Sequence, residues 1–235
     1  VFDHPTARQL TCVLRPKEPA AGAAVATTFA LSETSTLVPS GTSVFVDGMS
    51  AVLPSGASSL PMALCVAACA RDAIVQVPAS RWDAQGQLAL PAPIASRVRH
   101  TGFVRGAELA DNVAFGISPA EAAAMDPCQR LLLELGYSAF HGTASLDRAQ
   151  LSGSLTGVFL GFAGSEFAAV LAASPAGSSV YAATGASASI AAGRLPYTLG
   201  LHGPCVAYDT ACSSALAACH AGLRALQFAE CAVGL

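Results

Sequence analysis

Three features of this 235-residue chain predict an α/β fold with a largely parallel sheet. Short apolar runs read as strands at residues 43–46, 157–161 and 205–208. Stretches with helical start signals or helical spacing lie between them, and strands alternating with helices are the pattern of a parallel sheet. The composition agrees: 53% of residues are hydrophobic and 11% charged, against a usual charged share of about 25%. That balance points to a buried α/β interior.

Taken in order, residues 1–14 read as the end of a helical unit, with Pro5 near a helix start and Ala7, Leu10, Val13 and Leu14 at helical spacing. Residues 15–41 hold Pro16, Pro19 and Pro39 among Ala, Thr and Ser clusters without periodicity, which is a linker. Residues 43–46 are expected as a buried strand running into Gly48, and a helix follows around residues 62–70. Two helix starts then stand in tandem. Ser118-Pro119-Ala120-Glu121 offers a capping serine, proline at the first helical position and glutamate three residues after the cap. Asp126-Pro127-Cys128-Gln129 repeats the scheme, and Leu131, Leu132 and Leu135 supply an apolar face. Residues 187–199 look helical, although Gly193 and Pro196 should bend or break that helix. The 205–208 strand leads into a helix from Cys212 to about Phe228.

Several function classes are excluded by composition. No stretch reaches the ~18 consecutive apolar residues of a membrane helix, and the best, residues 60–70, ends at Arg71-Asp72. The opening VFDHPTARQL lacks the basic-then-apolar order of a signal peptide, so a cytoplasmic protein is expected. A net charge of −3 with scattered basic residues leaves no footprint for nucleic acid. The eight cysteines form no paired CxxC knuckles, and histidines at metal spacing are missing, so most read as small buried hydrophobes rather than zinc ligands.

Cys212 is the exception. If the helix begins near Thr210 or Ala211, Cys212 lies in its first turn, where unpaired amides and the helix dipole favour a thiolate. A thiolate there suits attack on an acyl thioester, with the same amides stabilising the oxyanion. Position alone also admits a buried cysteine that only packs. No base for it stands out. His220 is eight residues on, ~12 Å along the helix axis and ~80° around it, whereas a general base must come within ~3 Å of its proton. His220 therefore reads as a structural histidine, His202 is a weak candidate in a turn, and His4, His100 and His141 carry no motif.

The words around these residues carry a resemblance. DTACSS at 209–214 resembles the active-site word of β-ketoacyl synthases, specifically the ketosynthase domains of modular (type I) polyketide synthases. DAIVQVPASRWD (72–83), FGISPAEAAAMDPCQRLLLE (115–134), GVFLG (157–161) and YAATGASASIAAGRLPYTLGLHGP (181–204) resemble the same family in its order and approximate spacing. VFDHPTARQL resembles the last helix of an acyl carrier protein domain. The resemblance implies three parts: a carboxy-terminal carrier tail at 1–14, an interdomain linker at 15–41 and the amino-terminal part of a ketosynthase domain at 42–235.

It further implies the amino-terminal half of a thiolase-like, layered α-β-α-β-α fold, with a homodimer for the complete domain. Cys212 would take an acyl chain from the phosphopantetheine thioester of a partner acyl carrier domain, and this chain would bind no cofactor of its own. The acyl-enzyme would then condense with a decarboxylating malonyl-type unit. The two histidines and the glycine-rich loop that assist that step in the family lie downstream of Leu235, so this piece is expected at most to be acylated. Rival readings are a non-catalytic partner that supplies a dimer surface, and a thiolase-like acyl-priming relative that uses the same nucleophile without decarboxylation. Departures from the family are Asp47 at a strand end, Cys128 for a usual glutamine, Tyr137-Ser138 for a common Trp-Glu pair, and Pro196 within the GRLPY word. An unpaired buried carboxylate at Asp47 would be costly.

Overall fold

A three-stranded parallel sheet forms the centre of the chain, which this computed structural model describes over residues 43–81, 91–144 and 148–235. The expected carrier tail and linker lie outside the described residues. The elements run α1 (Leu60–Ala68), β1 (Ile74–Gln76), α2 (Ala92–Arg97), β2 (His100–Gly102), α3 (Pro119–Ala124), α4 (Pro127–Ala144), α5 (Arg148–Leu151), β3 (Thr156–Gly161), α6 (Phe167–Ala172), α7 (Ala182–Gly185), α8 (Ala188–Leu199), β4 (Cys205–Tyr208), α9 (Ser214–Gln227) and β5 (Val233–Gly234). Single 3-10 turns occur at Pro54–Gly56, Pro175–Ser178 and Ala211–Ser213.

The sheet order is β4-β3-β5, with β3 in the middle. Val158 faces Cys205 and Gly161 faces Tyr208 in the β3–β4 register, and Thr156 faces Val233 in the β3–β5 register. Because successive strand residues point to opposite faces, β3 serves two layers at once. Val158 joins a core with Met125, Leu133, Phe140, Leu195 and Leu199 from the α4 and α8 side. On the opposite face the Phe159 ring lies against Gly222 of α9, where a Cβ would come within 3.2 Å of it. The result is a helix–sheet–helix sandwich, as the alternating elements predict. A separate antiparallel ribbon, β1 with β2, pairs Ile74–Gln76 with His100–Gly102; its three-residue strands are too short to show in sequence periodicity.

The helix starts follow their sequence signals. Ser118 Oγ accepts from the Glu121 amide at 3.1 Å, and Asp126 Oδ1 accepts from the Cys128 amide at 2.7 Å. In α4 the fully buried positions are Gln129, Leu133 and Phe140, while Leu131, Leu132 and Leu135 are half-buried, so the expected apolar face is rotated. Pro196 does not break α8, which runs on to Leu199 and ends at left-handed Gly200 (φ 70°). Proline so near the helix end removes only one amide from the ladder. Its carbonyl still accepts from the amides of Gly200 and Leu201, and Ala191, Ala192, Leu195 and Leu199 hold the helix down by burial.

Three expectations are corrected. Residues 43–46 form no strand: among the described residues nothing pairs with their backbone, and all four side chains are exposed. Asp47 is likewise exposed, so its carboxylate stays hydrated and carries no burial penalty. Of the seven described cysteines, Cys231 alone is buried and the other six are exposed. Cys212 apart, they read as core residues in the sequence once zinc spacing is dismissed, yet so small a side chain is compatible with either environment.

Candidate active site

Cys212 is exposed in the Ala211–Ser213 turn, between the carboxyl end of β4 and the start of α9. Three neighbouring polar side chains hold the backbone of that turn, and the Thr210 hydroxyl accepts from Ser213 Oγ at 2.9 Å. Asp209 Oδ1 accepts from the Ala211 amide at 3.1 Å. Ser213 Oγ donates to the Thr210 carbonyl at 2.8 Å. Ser214 Oγ accepts from the Thr210 amide at 2.9 Å and donates to the Ala211 carbonyl at 2.7 Å. These bonds hold Ala211 at φ 55°, a left-handed conformation that costs a residue with a Cβ about 1–2 kcal/mol. In this way DTACSS turns a strand sharply into a helix and leaves Cys212 facing solvent on a rigid mount.

Gly161 allows α9 to sit this close. A Cβ on Gly161 would fall 2.6 Å from the Ala215 amide nitrogen and the Ser214 carbonyl carbon, contacts that no side-chain rotation relieves. Gly161→Ala is therefore expected to push back the turn that carries Cys212 and to cost about 1–3 kcal/mol, the usual range for overpacking. Thermal unfolding of that variant, together with the rate at which Cys212 is alkylated, checks both effects.

Among the described residues no histidine is placed as a base for Cys212, and His4 lies outside them. His202 is exposed at the amino end of β4, the opposite end of the strand from Cys212. His220 is exposed on α9 rather than a satisfied structural histidine, a correction that follows from its place on the outward face of the helix. His141 packs edge-on against Tyr137, ring centroids 4.4 Å apart, and His100 lies in β2. Among the other cysteines, Cys128 lies at the surface, yet the protein atoms crowding its thiol, with the Asp126 carboxylate beside it, push it up to about 11. Protein atoms shielding one side of the exposed Cys205 thiol also raise it, and burial raises Cys231. These three stay protonated thiols at neutral pH, which blunts them as nucleophiles.

The surroundings of Cys212 follow from topology. In a parallel sheet a helix leading into a strand runs antiparallel to it, so its amino end lies at the strand's carboxyl edge. The amino ends of α4, which precedes β3, and of α8, which precedes β4, thus share the edge with the Cys212 turn. At that edge lies a polar network that sequence reading took only for helix caps. Arg194 Nη1 donates to Glu121 Oε1 at 2.6 Å and Arg194 Nε to Gln129 Oε1 at 2.6 Å. Gln129 Nε2 donates to the Thr184 and Ser187 carbonyls at 3.1 and 3.3 Å. Asp126 accepts from the Ser165 hydroxyl, and its amide donates to the Gly185 carbonyl at 2.8 Å. Glu121 and Gln129 were expected to cap their own helices, but the largely covered guanidinium of Arg194 claims both. An apolar cavity of about 340 Å³, lined by Leu132, Leu135, Phe159, Leu195 and Leu235 among others, includes no residue of the Cys212 turn.

Among the described residues no helix is long and apolar enough to cross a membrane. Comparison with known proteins matches residues 42–235 to the family described as β-ketoacyl synthase, N-terminal domain. The whole chain aligns with the spectinabilin polyketide synthase system protein NorC of Streptomyces orinoci, 38% identical, and with the polyketide synthase GfsB of Streptomyces halstedii, 43% identical. It spans 10% and 4% of those two proteins. Among solved structures, the ketosynthase from module 6 of the bacillaene synthase of Bacillus subtilis superposes with a TM-score of 0.65 at 33% identity, over 78% of this chain and 29% of that one. An oxazolomycin ketosynthase domain of Streptomyces albus does so with a TM-score of 0.69 at 30% identity, over 79% and 33%. The sandwich is thus the thiolase-like α/β fold of ketosynthases, and the chain belongs to the β-ketoacyl synthase family as an amino-terminal ketosynthase domain of modular polyketide synthase type.

Proposed function

We propose that Cys212 is the acyl-accepting nucleophile of this domain. One observation supports this above the rest: in a turn whose Asp209, Ser213 and Ser214 side chains are spent on holding backbone, an exposed thiol stands at the start of a 14-residue helix. In the transfer, the sulfur of Cys212 attacks the carbonyl carbon of an acyl thioester. A new carbon–sulfur bond forms, the bond to the donor sulfur breaks, and the Cys212 proton ends on the departing thiol. The donor is the phosphopantetheine arm of an acyl carrier domain, because that arm presents an acyl thioester at the end of a long, thin, extended chain. In the complete domain the acyl group then passes to the carbon that a malonyl-type unit exposes on losing CO₂. A carbon–carbon bond forms and the Cys212 sulfur is released. A mass adduct from an acyl thioester, absent in Cys212→Ser, tests the first transfer.

Residues 1–14 and 15–41 fit a carrier tail and a linker that would deliver the donor in the same polypeptide; two polyketide synthase proteins align over this stretch as well. A cytoplasmic setting, which keeps exposed thiols reduced, goes with this reading. For the homodimer, β4 offers the surface: it is an edge strand of the sheet, with Cys205 and Val206 exposed. Unpaired edge strands recruit further strands, and a charge on them opposes pairing. Val206→Lys is expected to halve the mass measured by light scattering from that of a dimer to that of a monomer. Equal masses for both proteins would refute this interface.

A further inference from the structure

A hydrogen bond remote in sequence from Cys212 meets the loop beside it. Asp126, 2% exposed at the start of α4, accepts from the hydroxyl of Ser165. Ser165 lies in the 162–166 loop that leaves the carboxyl end of β3. Because Gly161 pairs with Tyr208 and the Phe162 amide donates to the Tyr208 carbonyl at 3.0 Å, that loop leaves the sheet beside the Asp209–Cys212 turn. In parallel sheets, ligands settle outside the carboxyl ends of adjacent strands, between such loops. The 162–166 loop is therefore a neighbour of whatever reaches Cys212.

Most of the loop has little else to hold it. Ala163, Gly164, Ser165 and Glu166 are exposed, and a Cβ on Gly164 would meet nothing within 4 Å. Ser165 Oγ also accepts from the Phe167 amide at 3.4 Å, tying the loop to the first turn of α6. Asp126 itself is fixed twice over, by the Cys128 amide on its other oxygen and by its own amide on Gly185. A carboxylate so anchored does not follow the loop; the loop follows the carboxylate.

We propose that Asp126 is a positioning residue for acyl loading: through Ser165 it holds the 162–166 loop as a wall against which the incoming acyl thioester is oriented toward Cys212. This rests on Cys212 being the acyl acceptor. An intact wall orients the carbonyl carbon toward the sulfur, and orientation of that kind is lost steeply with small displacements. A small reagent that needs no orienting, such as iodoacetamide, should not sense the wall.

The test uses the full chain. Its Cys212 is acylated with an octanoyl thioester of N-acetylcysteamine and, separately, alkylated with iodoacetamide, both followed by peptide mass mapping. Ser165→Ala, a change at an exposed position, is expected to slow acylation about tenfold while alkylation of Cys212 stays within twofold of wild type. Ser165→Thr, which keeps the hydroxyl, should restore acylation. Acylation of Ser165→Ala at the wild-type rate overturns the proposal, as does an equal fall in both reactions, which would report a displaced cysteine rather than lost orientation. If the wild-type chain takes iodoacetamide at Cys212 but no acyl group, the acyl-acceptor reading falls and takes this one with it; that outcome is distinct from the other two.

Discussion

Cys212→Ser is expected to abolish acylation of the chain by acyl thioesters, with a loss of at least about 10³-fold, the order seen when a covalent nucleophile is removed. Serine fills nearly the same volume and Cys212 is exposed, so the turn should survive. Stability should then stay within about 0.5 kcal/mol of wild type, as for surface substitutions generally. The hydroxyl lacks the thiolate character that a helix start can promote in a cysteine. Peptide mapping of the wild-type adduct supplies the necessary control, because six of the seven described cysteines are exposed. Cys128, Cys205 and Cys231 are held as thiols and should label slowly, and the mapping separates Cys212 from the exposed Cys65, Cys69 and Cys219. An adduct of equal yield in Cys212→Ser would sink the assignment.

Arg194→Met should be the most damaging single change away from Cys212. The guanidinium spans α3, α4 and α8 by meeting Glu121 and Gln129 at once, with side chains 11% and 26% exposed in the Arg194–Glu121 pair. Removing the cation strands a poorly hydrated carboxylate and frees the Gln129 oxygen in the interior. Such losses run at about 3 kcal/mol for partners left uncompensated. For a domain of this size that corresponds to a fall in melting temperature of roughly 6–12 °C. Adding Glu121→Gln removes the stranded charge, so the double variant should melt above Arg194→Met alone. A double variant no more stable than the single one would show that the loss comes from packing rather than from charge.

How much of this was legible in the chain can be judged residue by residue. The Ser118 and Asp126 caps, the 157–161 and 205–208 strands and the helix after Cys212 all rest on local chemistry: a side-chain oxygen near its own amides, or an apolar run ended by a turn-forming residue. These readings survive in three dimensions. The 43–46 run has the same local chemistry as 157–161, yet the first is exposed coil and the second the central strand. A strand exists only where a partner meets its backbone groups, and nothing in a four-residue window reports the partner. Pro196 misled in the opposite direction, because burial of Leu195 and Leu199 outweighs one missing hydrogen bond. His220 and the exposed cysteines other than Cys212 were misjudged for a related reason: which way a residue faces depends on what its helix or strand lies against.

For the candidate site the division is sharper. The sequence by itself determined the family and the strand-to-helix turn at DTACSS, and it pointed to Cys212 as the candidate, because turn-forming side chains and their neighbours interact over a few residues. Tertiary structure alone decided that Gly161 admits α9, that Arg194 takes Glu121 and Gln129 from their capping duties, and that Asp126 reaches Ser165. Those contacts join residues 39 to 73 positions apart. Parallel crossovers bring them to one edge of the sheet, and no local pattern encodes which loop meets which.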